Sequence, residues 1–172
     1  MKEQFETALR GRAWEYAVAE TKVLNFSPEL LKACKANTCG NYNRNWACPP
    51  GAGSFEEQKR KILAWKYAFI FTTRYELEDS FDYEGMMQAK ELHDDLTREM
   101  HNLFGGGYPV YGAGGCKLCK PCLYPEPCRF PYKMYSSIEA AGINVTDLSR
   151  SAGIKYNNGI NTVTYFSMIL FD

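Results

Sequence analysis

The stretch "WKYAFIFTTRYEL", Trp65–Leu77, decides the fold of this chain. β-Branched and aromatic residues dominate it, and its central run, Ala68–Phe71, is apolar without interruption. A strand with one wet face alternates apolar and polar residues, whereas a continuous apolar run is typical of a strand buried on both faces. We therefore predict a sheet in which this strand is buried on both sides.

Two further segments extend the prediction downstream. Residues 84–104 are predicted to form the longest helix, because apolar residues recur there at steps of three and four and would make one stripe. The three glycines at 105–107 end that helix. Asn161–Phe171, "NTVTYFSMILF", is predicted as a final strand, central in the sheet. The predicted stripe consists of Ala89, Leu92, Leu96, Met100 and Leu103.

The segments upstream of the central strand supply its neighbours. Trp14–Phe26 mixes β-branched and aromatic residues with partial alternation and is predicted as a strand. Ser27–Pro28 suits the start of a short helix. Ser54 and Glu57 form a capping-box pattern, which predicts a helix over residues 55–63.

The order of these elements sets the fold class. A short strand at 108–113 and short helices at 136–142 and 145–153 complete the series. We predict an α/β or α+β fold: a single layered domain over residues 1–172, with one sheet of about four strands packed by helices. Two cysteine-rich loops, at 34–53 and 112–131, interrupt this domain.

Composition excludes several classes of function. The chain has 172 residues, 45% of them hydrophobic, and its 20 Lys and Arg balance its 20 Asp and Glu. A neutral chain has no general basic field to hold a phosphate backbone, so we expect no nucleic-acid partner. No apolar run approaches the roughly 18 residues of a membrane span, and the first residues lack the apolar core of a signal peptide. We therefore expect a cytoplasmic protein.

The second cysteine loop, "GGCKLCKPCLYPEPCRFP", carries Cys116, Cys119, Cys122 and Cys128. Disulfides, zinc, an iron–sulfur cluster and reactive thiols are the alternatives. A reducing cytoplasm and an odd total of seven cysteines disfavour disulfides. Two consecutive C-x2-C spacings resemble the ferredoxin pattern C-x2-C-x2-C-x3-C-P, although the last gap here is longer. Structural zinc sites more often use two separated C-x2-C pairs, so an iron–sulfur cluster is the preferred prediction and zinc the alternative.

The first cysteine loop carries Cys34, Cys39 and Cys48. Cys48 precedes a proline, as does the cysteine that closes ferredoxin motifs and ligates the other cluster. Cys48 and Cys128 could therefore serve either site. If two sites exist, the seven cysteines divide into four and three, and one site has a position without a thiolate. The alternative is a single four-cysteine cluster with three structural thiols.

Three other residues are candidates for tuning or binding. Arg44 and Arg129 lie beside the two groups of cysteines, where a guanidinium would stabilise an anionic cluster or bind an anionic ligand. Trp46 lies close enough in sequence to exclude water from a cluster.

The two histidines, His93 and His101, lie on the predicted long helix. Eight residues separate them, which places them about 80° apart around the helix axis. Neither has a partner spaced as in a zinc-binding helix. We therefore predict exposed or boundary histidines without a ligand role.

Several blocks of the chain resemble one known family. They are "CKANTCGNYNRNWACPPGAGSFEE", "YELEDSFDYEGMMQAKELH", "GAGGCKLCKPCLYPEPCRFP" with "SSIEAAGINV", and "NNGINTVTYFSMILF". The family is an uncharacterised, cysteine-rich domain of anaerobic bacteria and archaea described as predicted metal-binding proteins. Ile138 departs from it, since a methionine is expected there. The resemblance implies metal or iron–sulfur binding through all seven cysteines and no established reaction.

The preferred functional hypothesis is a protein with one or two [4Fe–4S] clusters that transfers electrons to a redox protein partner in an anaerobe. One alternative is an enzyme that binds a small-molecule substrate at an open iron position. Another is a structural zinc-binding interaction module. Whether the protein is an enzyme stays open at this point.

Overall fold

The computed structural model describes all 172 residues as an α+β arrangement of five helices around one mixed sheet. None of the helices is long and apolar enough to cross a membrane. The helices are α1 (Lys2–Leu9), α2 (Pro28–Lys35), α3 (Phe55–Leu63), α4 (Tyr83–Phe104) and α5 (Val145–Ala152). The strands are β1 (Tyr16–Glu20), β2 (Tyr67–Glu76), β3 (Val110–Gly112), β4 (Ser136–Ser137) and β5 (Thr162–Phe171).

The two long strands pair along their whole length and form the middle of the sheet. The strand order is β1-β2-β5-β3-β4, and β2 pairs antiparallel with β5 from Tyr67 opposite Phe171 to Glu76 opposite Thr162. This confirms the buried central strand and the central position of the final one. The sheet has five strands where about four were expected. The additional strand, β4, lies in a predicted short helix and pairs parallel with β3.

Alternation along β2 divides the core between the two faces of the sheet. Phe69 and Phe71 face one hydrophobic cluster, while Ala68 and Ile70 face the other. Helices α1 and α4 cover the first face, and α3 and α5 cover the second. The continuous apolar run of β2 follows from this arrangement, because both of its faces are covered.

Helix α1 has no counterpart among the predicted elements. Only Phe5 and Leu9 of its eight residues are buried, so its periodic signal is one pair at i and i+4. The Phe5 ring nevertheless lies within about 6 Å, centroid to centroid, of the rings of Phe69, Phe104, Tyr108 and Phe171. Long-range packing of one aromatic ring, which no local pattern reveals, therefore anchors the helix.

The buried face of α4 differs from the predicted apolar stripe. Ala89, Leu96 and Met100 are buried, but Leu92 and Leu103 are 55% and 59% exposed. The helix is rotated because the sheet presents polar groups to it, which require polar partners on the facing side.

His93 is one of those partners, so the prediction that both histidines are exposed or at a boundary is wrong for this residue. Its side chain is fully buried, with Nδ1 2.8 Å from Thr73 Oγ1 and Nε2 2.9 Å from Ser167 Oγ. His101 is also buried, and its Nε2 is 3.0 Å from the carbonyl oxygen of Tyr132. Both rings act in packing and hydrogen bonding within the fold.

The two cysteine loops leave the layered core at neighbouring points. The first connects α2 to α3. The second leaves the sheet after β3 and returns at β4, the parallel partner of β3. The sheet edge therefore fixes both ends of the second loop.

Candidate metal centre

The two cysteine loops pack against each other, although residues 54–111 separate them in sequence. The amide of Ser137 donates to the Ala47 carbonyl at 3.1 Å, and Trp46 Nε1 donates to the Glu126 carbonyl at 3.0 Å. The rings of Trp46 and Tyr124 meet edge to face with centroids 5.0 Å apart. The seven cysteines thus lie in one continuous region of the molecule, formed by the two loops.

Gly115 allows the closest approach between the loops. A Cβ atom at this position would lie 2.4 Å from Asn41 Oδ1 and 3.0 Å from Asn45 Nδ2. Any side chain larger than hydrogen would therefore push the second loop away from the first. Gly115, directly before Cys116, therefore has a structural reason that involves the other loop.

Asparagine side chains hold the irregular first loop in shape. Asn37 adopts a left-handed conformation with φ of 58°, and its Oδ1 accepts a hydrogen bond from the Tyr42 amide at 2.9 Å. Asn45 donates to the Asn41 carbonyl at 3.2 Å and accepts from the Ala47 amide at 3.0 Å. These local side-chain contacts replace the regular backbone pairing that the loop lacks.

Four cysteines of the second loop surround one small, apolar cavity. Its space holds about one water molecule. The thiols are the only ionisable metal-ligating groups in its wall, and the other lining side chains are apolar or aromatic. A larger inorganic group at this position requires the loop to open around it. The lining residues are Trp46, Cys116, Leu118, Cys119, Cys122, Cys128, Phe130 and Met134.

Burial raises the pKa of the Cys116 thiol, and the proximity of the other three cysteines raises it further, while a backbone hydrogen bond from Leu118 opposes both effects. Four thiolates close together in an apolar wall repel one another. A cation that binds them removes this repulsion and displaces their protons. The donor set thus fits a positively charged, thiophilic group.

The three cysteines of the first loop line a second pocket of about 350 Å³. Ser137 and Glu139, which follow the second loop, complete its wall. Cys34, Cys39 and Cys48 therefore share one pocket, and Cys128 lies with its own three neighbours. The geometry divides the seven cysteines into four and three, loop by loop.

Cys48 is the most deeply placed of the three. Burial raises the pKa of its thiol to about 11, although hydrogen bonds with Ser137 and Asn45 oppose the shift. Burial also raises the pKa of the Cys34 thiol, and the charges of Glu139 and Cys39 add to this effect. Cys39 is exposed at the pocket mouth. The pocket thus has a buried base and an open side.

The ligand side chains surround cavities and do not meet at one point. No group of three or more His, Cys, Asp or Glu side chains is gathered closely enough to hold a single metal ion. The predicted ligands therefore lie in two shared sites without forming a ready-made single-ion site.

The three predicted tuning residues have different surroundings. Trp46 lines the four-cysteine cavity and is fixed by its hydrogen bond to the Glu126 carbonyl. Arg44 and Arg129 are exposed and form no ion pair within the chain. Their guanidinium groups are available to solvent, and their proposed roles stay predictions.

Glu139 is a site residue that the sequence reasoning missed. It lines the three-cysteine pocket, and its Oε2 atom is buried without a hydrogen-bond partner. Burial raises the pKa of this carboxyl group, while nearby backbone amides and Lys90 oppose the shift. No cysteine-like spacing marks Glu139, because it reaches the pocket only through the pairing of β3 with β4.

Of the comparisons with known proteins, one gives a match, and that match is to a family described as metal-binding. No curated protein and no solved structure matches the chain. One family model, described as predicted metal-binding protein (DUF2284), matches residues 17–171 and so includes both cysteine loops and the whole sheet except its first residue. The chain therefore belongs to the DUF2284 family of predicted metal-binding proteins.

Proposed function

We propose that the protein is an iron–sulfur electron carrier with a [4Fe–4S]-type cluster at the four-cysteine cavity. A second metal group would lie at the three-cysteine pocket. The observation that carries the proposal is the enclosure of one apolar cavity by four thiols from a single short loop. A bound cluster would supply one-electron redox chemistry. Its ligands would be Cys116, Cys119, Cys122 and Cys128.

The arrangement of the thiols favours a cluster over a single zinc ion. A zinc ion needs four ligands that converge on one point at about 2.3 Å. A cluster offers a separate iron to each thiolate and so needs sulfur atoms spaced around a volume. The four cysteines surround a cavity without converging on one point, which suits the second case once the loop opens around the cluster.

The rest of the loop would set the redox properties of the site. Trp46 and Phe130 would exclude water, which makes the potential depend on the protein dipoles that remain. Phe130 is 43% exposed and adjoins the exposed Arg129, so a redox partner protein with an acidic surface could dock beside the cavity. The contact between the loops would bring the second metal group close enough to exchange electrons with the first.

A cytoplasmic location belongs to the same proposal. All seven cysteines are free thiols. Thiols persist as metal ligands in a reducing compartment, whereas an oxidising one would drive them toward disulfides. An anaerobic cell would also spare clusters from oxygen.

Anaerobic purification tests the proposal. We expect brown protein with the broad visible absorbance of thiolate-to-iron charge transfer, an EPR signal after reduction, and matched iron and sulfide. Cys119→Ser should abolish the signal of the four-cysteine site. Cys39→Ser, in the other pocket, should leave it in place. Colourless protein that holds stoichiometric zinc would refute the proposal.

The three-cysteine pocket supports a second candidate function, an enzyme. Its three thiols leave one position without a thiolate, and the pocket of about 350 Å³ adjoins another of about 430 Å³ across Glu139. Together they could admit a small-molecule substrate. A ligand-dependent change in the spectrum of the second metal group would favour this function over simple electron transfer.

A further inference from the structure

We propose that the carboxylate of Glu139 is the fourth, non-cysteine ligand of the metal group in the three-cysteine pocket. The inference rests on the second metal site of the proposed function. It assigns a residue to the position that Cys34, Cys39 and Cys48 leave without a thiolate.

The first support is an unpaired buried oxygen. Glu139 Oε2 has no hydrogen-bond partner, and the only other such side-chain atom in the chain is His101 Nδ1. Native proteins pair nearly all buried polar atoms, and an unpaired carboxylate oxygen is among the most costly exceptions. A metal ion in the pocket would give this oxygen its missing partner.

The second support is the position of the carboxylate among the thiols. Glu139 contributes the only carboxylate to a pocket wall that already holds all three cysteines of the first loop. The negative charge of Glu139 also raises the pKa of the Cys34 and Cys48 thiols, in agreement with this shared position in the pocket wall. Thiolate and carboxylate ligands occur together around iron and zinc.

The third support is the rigid backbone that carries Glu139. The residue begins a 3₁₀ helix, Glu139–Ala141, directly after β4. Ile138, Ala140 and Ala141 are almost completely buried in the core beneath it. Ligands on rigid, packed elements are held in position more accurately than ligands on free loops. Glu139 would therefore provide a fixed ligand opposite the more irregular first loop.

The fourth support is that the nearest cation is already engaged. Lys90 lies near Glu139, but its Nζ forms short contacts of 2.5 and 2.6 Å with the two carboxylate oxygens of Asp94. Both side chains of that pair are largely buried. Lys90 therefore neutralises Asp94, and a bound metal is the counter-charge that the pocket can supply to Glu139.

The test compares metal content after anaerobic purification. The variants are Glu139→Gln and Glu139→Ala, with Cys34→Ser to show the loss of the three-cysteine site. Glu29→Gln serves as the matched control, because Glu29 is exposed on α2, the helix that carries Cys34. Iron and zinc per chain are measured before and after exposure to graded chelator, and circular dichroism monitors folding.

We expect both Glu139 variants to lose the metal that Cys34→Ser loses, or to release it at a chelator concentration at least about tenfold lower than the wild type. Glu29→Gln should match the wild type. Folded Glu139 variants that retain wild-type metal across the chelator series would overturn the inference, as would wild-type metal content in Cys34→Ser.

The metal at the four-cysteine site allows a failure of the Glu139 inference to be distinguished from a failure of the proposed function. The metal that remains in Cys34→Ser reports on Cys116, Cys119, Cys122 and Cys128 alone. An iron–sulfur signal there, with unchanged Glu139 variants, would refute only the Glu139 inference. Zinc there in place of iron, with metal loss in the Glu139 variants, would refute only the cluster assignment.

Discussion

Acidification should destabilise the fold through His93, whose neutral ring lies between Thr73 and Ser167. Burial, with a smaller contribution from the charge of Lys90, lowers the pKa of His93 to about 3. The unfolded chain has an ordinary histidine with a pKa of about 6.5. Between these two values the unfolded state binds a proton that the folded state does not, so the free energy of unfolding falls as the pH falls.

The size of the effect follows from the two pKa values. A pKa difference of one unit is worth about 1.36 kcal/mol. Between pH 7.0 and pH 4.5, preferential protonation of the unfolded state should lower the free energy of unfolding by about 2 to 3 kcal/mol through this one ring. That is a large fraction of the roughly 5–15 kcal/mol by which an ordinary domain is stable.

Urea unfolding at pH 7.0 and pH 4.5, followed by tryptophan fluorescence, measures this loss. Carboxylates and metal ligands also titrate in this range, so the control is His93→Gln, which keeps an amide within reach of the hydroxyls but cannot titrate. The wild type should lose about 2 to 3 kcal/mol more than the variant, because the other titrating groups are common to both. Equal losses in the two proteins would refute the reasoning.

Three further substitutions test the packing and the site. Phe5→Ala should lower the free energy of unfolding by about 3–5 kcal/mol in urea titrations, because it removes a fully buried ring that contacts four others. A loss below about 1 kcal/mol would contradict the conclusion that Phe5 anchors α1. Ser54→Ala should cost about 1 kcal/mol by the same assay, since Ser54 accepts from the Glu57 amide in a complete capping box, and an unchanged midpoint would argue against that cap. Trp46→Ala should speed the bleaching of visible absorbance in air, because it opens the four-cysteine cavity. Trp14→Ala is the distant control, and equal bleaching rates in the two variants would show that Trp46 does not shield the site.

Much of the fold could be predicted because its signals are local. The apolar run of β2 predicted a strand covered on both faces, and Ser54 with Glu57 predicted the start of α3 at residue 55. The pairing of β4 could not be predicted, because two serines have no strand pattern of their own. Their place in the sheet depends on Tyr111 and Gly112, which are their partners in β3.

The candidate site, like the fold, could be predicted only where its signal is local in sequence. Spacing alone indicated Cys116, Cys119 and Cys122 as one group and left Cys128 open, whereas the cavity brings Cys128 together with those three. The sequence could not assign Cys48 to one of the two sites, because the assignment depends on how its loop folds. It could not identify Glu139 as a site residue, because Glu139 reaches the pocket only through a tertiary contact. His93 was misplaced for a related reason: its burial is decided by hydroxyl groups on two strands far away in sequence. Partners that are distant in sequence leave no periodic trace.

The separation of core and cysteines bears on what a metal would do here. The two hydrophobic clusters, one on each face of the sheet, contain 14 and 9 buried residues respectively. Neither cluster contains a cysteine. Small structural zinc domains lack such a core and unfold without their metal. A chain that packs two hydrophobic layers has no comparable need for a metal to hold it folded. The seven thiols of this chain are therefore better explained by the chemistry of a bound metal than by support of the fold, which supports the proposed redox or catalytic group over a structural zinc ion.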